Sequence, residues 1–169
     1  MRIETERLCI TVLTQDMARD VHLNSLDEDT ARFVPDEVFE TEEAAREAIG
    51  FLTGRYASAE GPFVYALTEK AGGRYIGYVQ MVRINDGAWE IGYQIGKAHR
   101  GCGFALEAVQ AFLPAMAEAH GIREVFGVCL AENEASRRVL EKCGFEKVFE
   151  GTGEYQGSSR EIVKYLREI

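Results

Sequence analysis

What this sequence lacks narrows it first. No apolar run reaches the ~18 to 20 residues of a membrane-spanning helix, and the opening MRIETERLCI has no apolar stretch of the kind a secretory signal carries. Both absences predict a soluble, cytoplasmic protein. Positive charge is in deficit: 19 Lys and Arg face 28 Asp and Glu, a formal net charge of −9. That balance argues against nucleic acid or an anionic membrane as partner and favours a cationic one, although acidity also serves plain solubility. Cys9, Cys102, Cys129 and Cys143 form no C-x-x-C pair, and His22, His99 and His120 stand far apart, so neither a disulfide framework nor a metal site is expected. No repeat, low-complexity tract or Pro/Ser-rich linker divides the chain, and residues 1–169 read as a single domain.

What is present has a readable order. Leu8, Ile10 and Val12 alternate in ERLCITVL, a first strand, and a helix is expected from about Thr14. The polar stretch DEDTARFVPDEVFE (27–40), broken by Pro35, predicts a loop or short turns before a helix that Thr41 caps. The period then drops to two. PFVYALTEK, RYIGYVQMVRI and AWEIGYQIGK are strand-like runs separated by the turn signals AGG and NDG, as antiparallel neighbours require. A helix with Ala105, Ala108, Val109, Phe112, Leu113 and Met116 on one face follows, with Pro114 expected to kink it. REVFGVCL reads as a buried strand, ENEASRRVLEKCGF as a short helix ending at Gly144, and EKVFEGTGEYQGSSREIVKYL as two strands around a glycine-rich turn. The fold class is α/β (α+β).

Between the third strand run and the long helix lies AHRGCGFALEA, where Gly101 and Gly103 can adopt angles closed to other residues and let a ligand approach the main chain. At a helix amino terminus such N–H groups cradle a phosphate or pyrophosphate, and Arg100 adds a full charge. A tight turn with a solvated arginine is the plain alternative. A triphosphate P-loop is excluded, because no G-x-x-x-x-G-K-[ST] occurs, and a dinucleotide fingerprint is excluded by Leu106 at its third glycine position.

The arrangement resembles the GCN5-related N-acetyltransferases (GNAT), whose pyrophosphate pattern [QR]-x-x-G-x-[GA] is matched by Arg100, Gly103 and Ala105. WEIGYQIGKAHRGCGFALEA is similar to the family's strand, loop and helix, and NEASRRVLEKCGF to its second cofactor-side helix. IETERLCI looks like the subgroup that holds ribosomal-protein N-terminal acetyltransferases.

The resemblance implies a mixed, mostly antiparallel sheet of about six to seven strands, with flanking helices and a splayed central strand pair. It implies acetyl-CoA as co-substrate, no metal, and direct attack by an amine held beside the thioester. Main-chain groups of Tyr93, Gln94 and Ile95 would meet the pantetheine arm, with an N–H near Gln94 or Ile95 polarising the thioester carbonyl. Residues Arg100, Gly101, Cys102, Gly103, Phe104 and Ala105 would hold the pyrophosphate. Asn133 would contact the cofactor or simply cap its helix, while Arg137 and Arg138 would reach the 3′-phosphate or lie solvated on the surface.

Catalysis needs a base, because a lysine-type amine has a pKa of roughly 10.4 and an α-amine roughly 7.7 to 8. Strand alternation puts Glu90 on the face with Gly92 and Gln94, beside the loop, as base or as a solvated glutamate. The family's usual tyrosine acid is replaced by Leu140, and Ser136 is the substitute the ribosomal-protein subgroup suggests, unless it serves only the helix start. Tyr155 is an outsider for the same task. The acceptor, a protein N-terminal α-amine, a polyamine or another small cationic amine, would sit among the first helices, residues 27–40 and the terminal hairpin. A non-catalytic acyl-CoA-binding or regulatory module is the alternative, and a homodimer is left open.

Overall fold

The computed structural model describes residues 1–84 and 87–169; Asn85 and Asp86, and with them most of the NDG turn signal, lie outside the described residues. Eight strands form one sheet: β1 (Ile3–Glu4), β2 (Leu8–Val12), β3 (Phe63–Glu69), β4 (Tyr75–Arg83), β5 (Trp89–Ile95), β6 (Glu124–Leu130), β7 (Glu146–Tyr155) and β8 (Ser158–Glu168), in the order β1-β2-β3-β4-β5-β6-β8-β7. The count exceeds the expected six to seven because β1 pairs only Ile3 with Ile10 and Glu4 with Cys9, too short a strand to alternate visibly. Neighbours are antiparallel except β5 and β6. A parallel pair needs a crossover, and α4 (Phe104–His120) supplies it. Pro114, expected to kink α4, lies inside it without ending it.

Two apolar cores sandwich the sheet. On one face Phe63, Tyr65 and Leu67 of β3 and Trp89 and Ile91 of β5 meet Val109, Phe112, Leu113 and Met116 of α4. On the other, Val64 and Ala66 of β3 meet Val21 of α1 (Ala18–Ser25) and Ala45 and Ile49 of α3 (Glu42–Thr53). Covered on both faces, β3 reads in sequence as the unbroken apolar run FVYAL rather than as an alternation.

Residues 27–40, expected as a loop or short turns, hold a short helix and a turn. The Asp27 side chain accepts from the Asp29 and Thr30 N–H groups and starts α2 (Glu28–Phe33), after which Pro35–Glu37 form one 3-10 turn. Thr41 Oγ1 accepts from Ala44 N, capping α3 as the sequence predicts. Asn133 caps α5 (Glu134–Lys142) by accepting from Ser136 N. The closing hairpin turns at Gln156 and Gly157, both with positive φ, the geometry that suits two-residue hairpins.

Candidate active site

The parallel pair β5 and β6 holds register at Trp89–Val125 and Glu90–Phe126 and, among the described residues, pairs no further. Beyond Glu90 the strands diverge, and a cleft of about 530 Å³ opens along Ile91–Ile95 toward the 101–106 loop and α5. This is the splayed pair the sequence resemblance implies.

The direction of each main-chain group in β5 follows from alternation. Gly96 N donates to Ile76 O of β4 at 2.8 Å, and Gln94 O presses so close on β4 that a Cβ at Gly77 would lie 2.0 Å from it. The N–H and C=O of successive residues point to opposite edges, so the main chain of Tyr93 and Ile95 faces the cleft and that of Gln94 does not. The expectation that Gln94 offers its main chain to the pantetheine is thereby corrected. Its amide side chain instead donates to Asn24 O and to Thr30 Oγ1. Ile95 O accepts from Arg100 Nε at 2.7 Å, so that among the described residues the Ile95 N–H and the Tyr93 main chain stay open at this edge.

The glycine loop has the geometry its composition predicts. Gly101 and Gly103 stand at φ 75° and 83°, angles that side-chain-bearing residues avoid, and α4 starts directly after Gly103. Two braces hold it. Arg7 Nη1 donates to Cys102 O at 2.8 Å, its guanidinium lies 4.5 Å from the Phe104 ring centroid, and it pairs with Glu107 at 2.6 Å. Arg100 pairs with Asp27 at 2.8 Å and Asp29 at 2.6 Å. The expected free charge on Arg100 is therefore already engaged, because the acidic start of α2 faces it. Cys102 is exposed and its thiol points to Arg100 O, while Gly101, Gly103 and Ala105 line the cleft.

Across the cleft, α5 presents Asn133, Ser136, Arg138 and Lys142. Ser136 Oγ lies 3.0 Å from the Tyr93 hydroxyl, which also donates to Ser136 O at 3.1 Å. Leu140 is 1% exposed and packs so tightly that a Cβ on Gly127 would sit 2.5 Å from its Cδ2, so this position serves the core. Arg138 bonds Glu134 on the exposed side of the helix. Of the two arginines expected either at the 3′-phosphate or solvated on the surface, Arg137 is not among the residues that line the cleft and turns to Tyr165 and Ala131 O. Lys142, four residues after Arg138 and thus on the same helix face, is the basic neighbour that the sequence reading passed over.

The opposite end is acidic. Burial pushes the Glu90 carboxyl up to about 7, against the pull of Lys164. Glu37, from the 3-10 turn after α2, was not anticipated; burial, then the charge of Asp36, raise it to about 7, while bonds from Tyr78 and Gln80 pull it back. Phe33, Val34 and Gln156 complete this end, and Tyr155, one of the expected acids, donates its hydroxyl to Phe33 O at 2.8 Å. No signal in residues 27–40 marks Glu37, since its partners come from β4.

The acetyltransferase (GNAT) domain family model matches residues 7–146. This chain belongs to the GNAT acetyltransferase family. No curated protein matches its sequence. Among solved structures, a GNAT-family acetyltransferase from Bacillus anthracis is 23% identical with a TM-score of 0.85, covering 99% of this chain and 98% of its own. RimL, a ribosomal L7/L12 α-N-protein acetyltransferase solved with coenzyme A, is 19% identical with a TM-score of 0.85 over 100% and 98%. The ribosomal-protein-S5-alanine acetyltransferase of Vibrio fischeri is 18% identical with a TM-score of 0.84 over 99% and 96%. The fold of this GNAT enzyme is thus shared along its whole length, and the ribosomal-protein likeness of IETERLCI meets neighbours of that description.

Proposed function

We propose that this enzyme transfers the acetyl group of acetyl-CoA to the primary amine of a cationic acceptor, a protein N-terminal α-amine or a small amine, within a ternary complex. The observation that carries the reading is the two-ended cleft: outward main chain and basic side chains at one end, carboxylates held near neutrality at the other. The residues fit the co-substrate. The 101–105 amides at the start of α4, with no side-chain cap at Gly103, suit a diphosphate, and the free edge at Tyr93 and Ile95 suits an amide-bearing arm. Arg138 and Lys142 stand beside that path for a further phosphate. When bound, acetyl-CoA supplies an activated acyl carbon.

The protein's part is to position reactants and move protons. Glu90, with its carboxyl near 7, takes the proton that the acceptor nitrogen loses as the new C–N bond forms, directly or through water. Ile95 N–H stabilises the charge that develops on the carbonyl oxygen. Ser136, held beside the Tyr93 hydroxyl, donates a hydrogen bond to the sulfur as the C–S bond breaks. Coenzyme A leaves as the thiolate, whose conjugate thiol has a pKa of roughly 8.5, so Ser136 keeps its own proton and the thiolate takes one from solvent.

The test is thiol release from acetyl-CoA against a panel of amines, with acetylated products read by mass spectrometry. Acceleration by cationic amines supports the reading. Tight coenzyme A binding with no acceleration by any amine replaces it with an acyl-CoA-binding module.

A further inference from the structure

Glu37 lines the cleft, yet acetyl transfer as described leaves it without a task. Its surroundings are unlike those of Asp27 and Glu107, which are each paired with an arginine. Asp27 lies 2.8 Å from Arg100 and Glu107 lies 2.6 Å from Arg7. Glu37 instead takes the uncharged Gln80 amide at 3.3 Å and the Tyr78 hydroxyl, with the like charge of Asp36 beside it. Among the described residues it has no ion pair with Lys, Arg or His. A shielded carboxylate without a countercharge is costly, and such groups concentrate where a ligand provides the missing charge.

Its place in the cleft is fixed by the sheet. Gln80 is the cross-strand partner of Gly92, and Glu90 lies two residues along β5 on the same face. Two residues of strand span about 7 Å. Between the carboxylates the Gln80 side chain lies across Gly92, which has none of its own: a Cβ there would meet Gln80 Nε2 at 2.7 Å. Glu90 stands where β5 parts from β6, beside the edge that receives the thioester; Glu37 stands one strand away, over β4. The two carboxylates therefore occupy separate positions along one trough.

We propose that Glu37 and Gln80 form a second cation subsite of the acceptor pocket, so that the preferred acceptor carries a second positive group several bonds from the reacting nitrogen. This rests on the acetyl-transfer reading. A diamine offers that chemistry, and so does a peptide whose amino end is followed by a basic side chain; the shared requirement is a dication of matching span. A bound cation draws Glu37 into its ionised form. The titratable groups around it are Asp36 on its own turn, Tyr75 and Tyr78 on β4, Tyr155 at the hairpin, and Glu90 farther along the trough; burial keeps all three phenols neutral well above pH 7, and Glu90 is the other carboxyl raised to about 7.

The experiment measures kcat/KM for two pairs of acceptors, a linear diamine against the monoamine of equal length and a short peptide amide with lysine second against the same peptide with norleucine. The native enzyme should favour the dication in at least one pair by about tenfold, the worth of one charge-assisted contact. Glu37→Gln should erase that ratio, through KM rather than kcat, and unchanged coenzyme A affinity by calorimetry establishes that the variant is folded. In the native enzyme the ratio should also grow from pH 6 to pH 8, as Glu37 ionises, and Glu37→Gln should abolish that growth, which separates it from the ionisation of Glu90. Which pair responds identifies the source of the dication. A ratio near one in both pairs, or one that survives Glu37→Gln and is flat with pH, overturns the subsite while leaving acetyl transfer standing. Absence of acetylation of every amine removes both.

Discussion

The two ends of the cleft are built from different parts of the polypeptide. At the end proposed for the cofactor the groups that face the cleft are main-chain amides, presented by Gly101 and Gly103 at positive φ and by the open edge at Tyr93 and Ile95. At the end proposed for the acceptor they are side chains, Glu37, Gln80 and Glu90, drawn from a 3-10 turn and two strands. A main-chain site depends on backbone angles and tolerates most changes of side-chain chemistry. A side-chain site is the reverse, and can be re-specified by one substitution while the backbone stays as it is.

That contrast can be broken by mutation. The largest effect should come from Glu90→Gln, which removes the proposed base: kcat should fall by about a thousandfold, within the usual reach of general base catalysis, while coenzyme A affinity by calorimetry holds. A parallel fall in affinity would mean that the two ends are not separable. Next comes the double change Gly101→Val and Gly103→Val. Valine at two left-handed positions costs roughly 1–2 kcal/mol each, so affinity for coenzyme A should drop by about a hundredfold; equal heats from native and variant protein would show that the loop is no cradle.

Tyr93→Phe sharpens the comparison, since Tyr93 contributes main chain to one end and a hydroxyl to the chemistry. It should lower kcat by about tenfold, of the order of one hydrogen bond, and should add nothing on top of Ser136→Ala. Additive losses would separate the two hydroxyls. The smallest effect concerns stability. Glu37 and Glu90 titrate near 7 in the folded protein, above the 4.5 of an ordinary glutamate. The folded state therefore holds protons that the unfolded chain releases between those values, and their stabilising contribution is lost as pH rises through about 7. Relative to Glu37→Gln, the native protein should lose on the order of 1 kcal/mol between pH 5 and pH 8, read as denaturant midpoints at both pH values.

The same contrast explains what the sequence made legible. Gly101, Gly103 and Ala105 fall within five consecutive residues, and their chemistry is local, so the loop, its helix and the strand before it could be read directly. Glu90 was reachable by alternation within one strand. Glu37 was not, because its meaning comes from Gln80 and Tyr78, more than forty residues later, and no local pattern encodes that meeting. Asp27 hid α2 for a related reason: in a stretch dense with acids its capping role cannot be told from surface charge. Arg100 was read as a free charge since Asp27 and Asp29, its partners, lie about seventy residues upstream.

Arg7 has a practical consequence. Through Cys102 O, Glu107 and the Phe104 ring it couples the first strands to a loop nearly a hundred positions later. Trimming the amino end, or fusing a rigid partner close to Thr5, would then mimic an inactivating change in the loop itself. Weak nucleotide affinity in such a preparation would report a lost fastening at the start of the chain, and purification handles belong at the other terminus.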